Sequence, residues 1–145
     1  MILGRPRNQL SHIDLSQTID SSRCIRLKRT ISADNLGYSV NGAGDFNDDG
    51  IDDIIVGTPG ADIGAGRVFV IFGSRNFGAE ISLDNGLTPQ AGFTIIGDLS
   101  GDYLGFSVSR AGDLNGDGMT DLIVGAAGVD SSAGATYIFF GERKI

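Results

Sequence analysis

An all-β fold built from two copies of one four-stranded unit is what this sequence predicts, and three observations carry the expectation. Glycine is abundant, at 23 of 145 residues, and the apolar runs are short and bounded by turn-forming residues, as expected of many short strands joined by tight turns. A shift of 68 positions lays Leu36-Gly37-Tyr38-Ser39-Val40 on Leu104-Gly105-Phe106-Ser107-Val108 and runs without a gap to Phe72-Gly73 on Phe140-Gly141. An acidic nonapeptide, Asp45 to Asp53, returns in the same register as Asp113 to Asp121. Self-similarity at a fixed interval marks a repeat architecture.

Each unit resolves into strand candidates in order. The first is Leu36–Val40 (Leu104–Val108), alternating in character and opened by Leu-Gly. After the acidic stretch, Asp53–Gly57 (Asp121–Gly125) is an apolar run ended by glycine, which suits a strand buried on both faces. A turn rich in glycine, proline and aspartate leads to Arg67–Phe72 (Ala135–Phe140), dense in β-branched and aromatic residues. A longer link with Asn85-Gly86 as its turn signal precedes the fourth strand, Phe93-Thr94-Ile95-Ile96. No fourth strand follows the second copy. The segment Cys24-Ile25-Arg26-Leu27-Lys28 overlays Gly92–Ile96 in the same register and stands before the first copy. The chain therefore divides into a lead-in over 1–34 with a closing strand near 24–28, a first unit over 35–97 and a second over 98–145. This is the organisation of a ring whose last unit is completed by the N-terminal strand.

The acidic stretches read D-x-N-x-D-G-x-x-D, with oxygen side chains at the first, third, fifth and ninth places and glycine at the sixth. Calcium takes six to eight oxygen ligands, and a tight loop delivers them at alternate positions. Asp45, Asn47, Asp49 and Asp53 are the candidate side-chain ligands of the first loop, with the Ile51 carbonyl at the seventh place. Asp113, Asn115, Asp117, Asp121 and the Met119 carbonyl repeat the set. Gly50 and Gly118 permit the sharp reversal between them. Asp48 and Asp52 add charge to the first loop where the second has Gly116 and Thr120, so repulsion in the empty first loop is expected to be stronger.

The spaced pattern L-G-[YF]-S-V, A-G-D-x-N-x-D-G-x-x-D-[IL]-I-V-G and [FY]-x-x-F-G closely resembles the FG-GAP repeat of integrin α-subunits and of many bacterial repeat proteins. The likeness is strong over 35–73 and 103–141. Gly57-Thr58-Pro59 and Gly125-Ala126-Ala127 stand at the G-A-P position, each departing by one residue. The resemblance implies that each unit is a β-propeller blade holding one calcium ion between its first and second strands, two ions per chain, on the residues named above. An EF-hand is excluded, since it needs a glutamate at the twelfth place, where Val56 and Val124 stand. Propellers close with about four to eight blades. The expectation is a homo-oligomer in which three or four chains form a ring by exchange of the strand near Ile25–Lys28. The alternative is a fragment of a longer propeller.

The net charge of −7 argues against nucleic acid, which needs a basic face, and two divalent cations would bring it to −3. No apolar stretch reaches the roughly 20 residues of a membrane span. Cys24 is the sole cysteine and reads as a small strand residue; His12 has no metal-sharing partner and reads as a surface group. Arg23, Arg26, Lys28 and Arg29 alternate with Cys24, Ile25 and Leu27, as on an edge strand, or as a patch that docks on an acidic neighbour. The chain has no visible signal peptide, while the loops favour an exported, calcium-rich setting. No nucleophile–base motif is present. The sequence thus predicts a non-enzymatic calcium-binding module for adhesion or protein binding on its loop face, with a purely structural ring as the alternative. A glycan-binding or hydrolase-associated module is a more distant one.

Overall fold

The strands form where β-branched and aromatic residues crowd between glycine-rich turns. In the computed structural model, which describes residues 15–17, 22 and 24–143, nine strands and two one-turn segments follow one another. They are β1 (Arg26–Lys28), β2 (Ser39–Gly44), β3 (Asp53–Thr58), α1 (Ala61–Gly64), β4 (Arg67–Ile71), β5 (Glu80–Ser82), β6 (Gly92–Ile96), β7 (Leu104–Gly112), β8 (Asp121–Ala126), α2 (Val129–Ser132) and β9 (Ala135–Phe139). The first unit is a four-stranded antiparallel sheet in the order β2-β3-β4-β6, and the second is three-stranded, β7-β8-β9. No helix among the described residues is long and apolar enough to cross a membrane.

The two sheets share one core. Ile55, Val68 and Val70 of the first pack with Leu104, Val108, Leu122, Val124 and Ala126 of the second, joined by Ala43 and Phe46. The chain crosses between sheets at close range. Leu104 N donates to Ala65 O (3.0 Å), and Ser39 Oγ donates to Gly105 O (2.7 Å). A side chain at Gly57 would stand 2.1 Å from Gly105 O, and one at Gly66 would stand 2.2 Å from Leu104 O. Glycine at those two places is what lets the second unit start against the first.

The other face of the first sheet, with Val56, Phe69 and Ile71, is covered by a ribbon the sequence did not predict. β1 pairs in parallel with β5, Arg26↔Glu80 to Lys28↔Ser82, and Leu27, Ile81 and Leu83 fill the contact. The lead-in strand therefore lies against its own chain, with its basic side chains engaged there: Arg26 and Lys28 pair with Glu80, and Arg29 with Asp34. His12 and Arg23 lie outside the described residues.

One further expectation is revised. The first strand begins at Ser39, not Leu36, although the same turn stands in both copies, with φ 83° at Gly37 and 85° at Gly105, Tyr38 N on Asn35 O and Phe106 N on Tyr103 O. In the second unit the same motif is strand from Leu104, where Ala65 offers an acceptor. The turn after the second strand is a left-handed step with positive φ at Asp62 and Ile63, and again at Asp130 and Ser131.

Candidate metal centres

Each acidic stretch is the hairpin loop between the first two strands of its sheet, β2–β3 and β7–β8. The short aspartate and asparagine side chains fold back on the main chain, as such residues do in tight turns. In the first loop, the Asp45 carboxylate accepts from Asp49 N (2.9 Å) and Gly50 N (2.8 Å). Asn47 Oδ1 accepts from Asp49 N (3.0 Å), Asn47 Nδ2 donates to Asp49 Oδ2 (2.9 Å), and Asp49 Oδ1 accepts from Ile51 N (3.0 Å). The second loop repeats this. Asp113 accepts from Gly116 N, Asp117 N and Gly118 N. Asn115 accepts from Asp117 N and donates to the Asp117 carboxylate, which accepts from Met119 N. The sixth-place glycines take φ 84° and 87°, the left-handed region the sequence required of them.

The ninth-place aspartates do something the sequence did not reveal. Asp53 is 1% exposed and closes both ends of its loop, accepting from Phe46 N (3.0 Å) and from Gly73 N (2.7 Å) just beyond β4. Asp121, fully buried, accepts from Leu114 N (2.6 Å) and Gly141 N (3.0 Å). The repeated Phe-Gly at 72–73 and 140–141 was the available signal, since it marks where the third strand returns to the loop. The fourth places are a second omission: Asp48 and Gly116 both take positive φ, 57° and 77°.

The electrostatics are one-sided. Burial pushes the Asp53 carboxyl up from its ordinary value; the N–H groups of Gly73 and Phe46 pull it back, and the Asp49 and Asp45 charges push it up again. Among the described residues, no cationic side chain pairs with Asp45, Asn47, Asp49 or Asp53, nor with Asp113, Asn115, Asp117 or Asp121. Among the described residues, the one ion pair at either loop is Arg143 Nε to Asp48 (2.7 Å). No three Asp, Glu, His or Cys donors among the described residues stand together as a ready cage. Each loop would complete its set with an amide oxygen and a main-chain carbonyl, at Ile51 or Met119. Hard oxygens, three carboxylates to a loop and a buried carboxylate without a counter-charge fit a divalent cation such as calcium.

The FG-GAP repeat model matches residues 36–71 and 105–139, the two units described above. The chain is 36% identical over 117 residues to phosphatidylinositol-glycan-specific phospholipase D of Bos taurus, which covers 75% of this chain and 14% of that protein. It is 37% identical over 91 residues to integrin alpha-V of Gallus gallus and 38% over 92 residues to integrin alpha pat-2 of Caenorhabditis briggsae, each match spanning 63% of this chain and 7% of the relative. The chain thus spans a small part of the relatives it matches. The hairpin loops, the close-approach glycines and the returning Phe-Gly all fall within or at the edge of the matched segments, and with two copies of the repeat the chain belongs to the FG-GAP repeat family.

Proposed function

We propose that this chain is a non-enzymatic, calcium-binding β-propeller module of the integrin α type, which presents its loops to a protein partner in adhesion or protein binding. The observation that carries the calcium reading is the duplicated loop whose buried Asp53 and Asp121 have no cationic partner among the described residues. Asp45, Asn47, Asp49, the Ile51 carbonyl and Asp53 would hold one ion, and Asp113, Asn115, Asp117, the Met119 carbonyl and Asp121 the other. The bound ion would supply two positive charges against three carboxylates and tie the loop to both strands. The protein's own part is to hold the oxygens in place: Asp53 through Phe46 N and Gly73 N, Asp121 through Leu114 N and Gly141 N. Protein binding rests on the integrin likeness and falls to the loops 58–65, 126–133 and 74–90.

Calorimetric titration with calcium is the test. Two ions per chain are expected, one after Asp113→Asn with Asp117→Asn, and none when Asp45→Asn and Asp49→Asn are added. Absence of binding at millimolar calcium by the folded chain would refute the reading.

The match to the phospholipases D favours a second reading, a module carried beside a hydrolase catalytic part. Cleavage of a phosphatidylinositol-glycan by this chain alone would overturn the non-enzymatic reading; calcium binding without cleavage supports it.

A further inference from the structure

Three Asn-Gly pairs stand in this chain: Asn41-Gly42, Asn85-Gly86 and Asn115-Gly116. In such a pair the glycine nitrogen can attack the asparagine side-chain carbon, because the following residue carries no β-carbon to obstruct it. Asparagine is for this reason chemically most labile before glycine. The fold gives the three pairs different surroundings. Asn41-Gly42 is fixed in the ladder of β2 with β3, opposite Ile55 and Ile54. Asn85-Gly86 lies in the turn after β5. There Gly86 N donates to Leu83 O (3.3 Å), and among the described residues no group holds the Asn85 side chain. Asn115-Gly116 occupies the third and fourth places of the second acidic loop.

In that loop both reacting groups are held, each by a different carboxylate. Gly116 N donates to Asp113 Oδ1 (2.7 Å). Asn115 Nδ2 donates to Asp117 Oδ2 (2.7 Å), and Asn115 Oδ1 accepts from Asp117 N (3.1 Å). The nucleophile is tied to the first place and its target to the fifth, so the ring between them does not close. The restraint is only as firm as the placing of Asp113 and Asp117, which share the loop with Asp121. Without a cation these like charges repel one another, and surface loops open locally at small cost.

The first loop meets the same demand with different chemistry. Its fourth place is left-handed too, φ 57° at Asp48 against 77° at Gly116, and aspartate is among the few residues that tolerate it. Asp48 brings a β-carbon and a negative charge, and both oppose attack on the Asn47 side chain. The two loops thus share their ligand set and differ at the residue that sets the chemical lifetime of the asparagine.

We propose that Asn115 is a site of spontaneous deamidation guarded by the cation of its own loop, so that loss of the ion exposes the second site to irreversible damage and spares the first. The proposal rests on the calcium reading above. When the loop opens, Gly116 N gives its proton to hydroxide and attacks Asn115 Cγ. The side-chain nitrogen takes up a proton and leaves as ammonia, closing a five-membered imide. Water then adds to one of the two imide carbonyls. Addition at Cγ breaks the new bond and leaves aspartate. Addition at the main-chain carbon breaks the original peptide bond and leaves isoaspartate, with the chain running on through Cγ. The net change is one water consumed and one ammonia released. Aspartate keeps an oxygen at the third place. Isoaspartate lengthens the main chain there and carries Asp117, the Met119 carbonyl and Asp121 out of register with Asp113.

The test ages the unmodified chain at mildly alkaline pH in heavy-oxygen water, with calcium or with chelator, and reads the peptides bearing Asn41, Asn85 and Asn115 by mass spectrometry. Chelator should speed conversion of Asn115 several-fold, with heavy oxygen incorporated, and leave the rate at Asn85 unchanged. Asn41 should remain an amide in both, which shows that the fold persists. Calorimetric titration of the chelator-aged chain, with calcium restored, should lose the second site in proportion to the isoaspartate formed and keep the first. Gly116→Asp gives the second loop the residue of the first; it should stay unconverted at Asn115 and keep both ions after the same treatment. Equal rates at Asn115 with and without calcium, in a chain that takes up two ions, overturn the guard and leave the calcium reading standing. Conversion of Asn41 in step with Asn115 overturns it in favour of global unfolding. A chain that takes up no calcium refutes the earlier reading, and the guard with it.

Discussion

Asp48 shows how charge and conformation are confounded in a sequence. It reads as surplus acidity in the first loop, yet its φ of 57° matches the 77° of Gly116 in the second, so the place demands a left-handed residue and aspartate is among the few that tolerate it. Its carboxylate also meets Arg143, which offsets part of the repulsion expected of the first loop. Both side chains are largely exposed, so removing the pair with Asp48→Gly should cost no more than about 1 kcal/mol. Asp53→Ala strands the N–H groups of Phe46 and Gly73 in a buried setting and should cost about 1–3 kcal/mol for each. Urea unfolding of the two variants without calcium checks the contrast, and equal losses would refute it. Gly57 and Gly125 make a parallel pair, identical in sequence and different in surroundings. Gly57→Ala forces a methyl into Gly105 O and should destabilise by at least about 1–3 kcal/mol, while Gly125→Ala meets only a hydroxyl that can rotate away and should unfold within a few degrees of the parent.

At the level of elements, what the sequence revealed were segments whose character is set locally. The apolar runs that became β3, β4, β6, β8 and β9 were placed to within a residue or two, because β-branched runs ended by glycine have few other uses. The start of β7 at Leu104 was also placed, but that of β2 was not, since identical Leu-Gly motifs become turn in one unit and strand in the other according to whether a preceding sheet offers an acceptor; both strands also run four residues past the expected Val40 and Val108. β5 was missed because Glu80-Ile81-Ser82 is too short to show alternation and its partner is 54 residues away. The acidic loops were legible as a set of oxygens, but the anchoring of Asp53 and Asp121 by Gly73 and Gly141 depends on the third strand returning beside the loop. The ribbon of β1 and β5 is fastened by Arg29, whose guanidinium pairs with Asp34, donates to Leu83 O (3.0 Å) and lies 5.8 Å from the centre of the Phe69 ring. Both partners are buried, so Asp34→Ala should cost about 3–5 kcal/mol, and Arg29→Met with Asp34→Leu much less. If the single variant loses no more than the double one, as read from thermal melts, the pair is not what holds the ribbon.

Across the whole molecule, the ribbon, the first sheet and the second sheet form a stack in which each layer buries one face on the layer before it. Because Ile55, Val68 and Val70 share their core with Leu122, Val124 and Ala126, the sheets should unfold together, and a loop that tightens either one stabilises both. A ligand bound only by the folded state adds about 2.7 kcal/mol per site at a hundred times its dissociation constant. Two calcium-filled loops would then contribute about 5 kcal/mol, which at about 2–4 °C per kcal/mol for a chain of this size raises the unfolding midpoint by roughly 10–20 °C. Asp113→Asn with Asp117→Asn should remove about half of that shift. The transition should stay single, since the first sheet cannot persist once Leu122 and Val124 are withdrawn from it. Calorimetric scans of the parent and the variant, with calcium and with chelator, measure both quantities. Two resolved transitions, the first alone responding to the second loop, would show that the sheets are coupled less tightly than their common core implies.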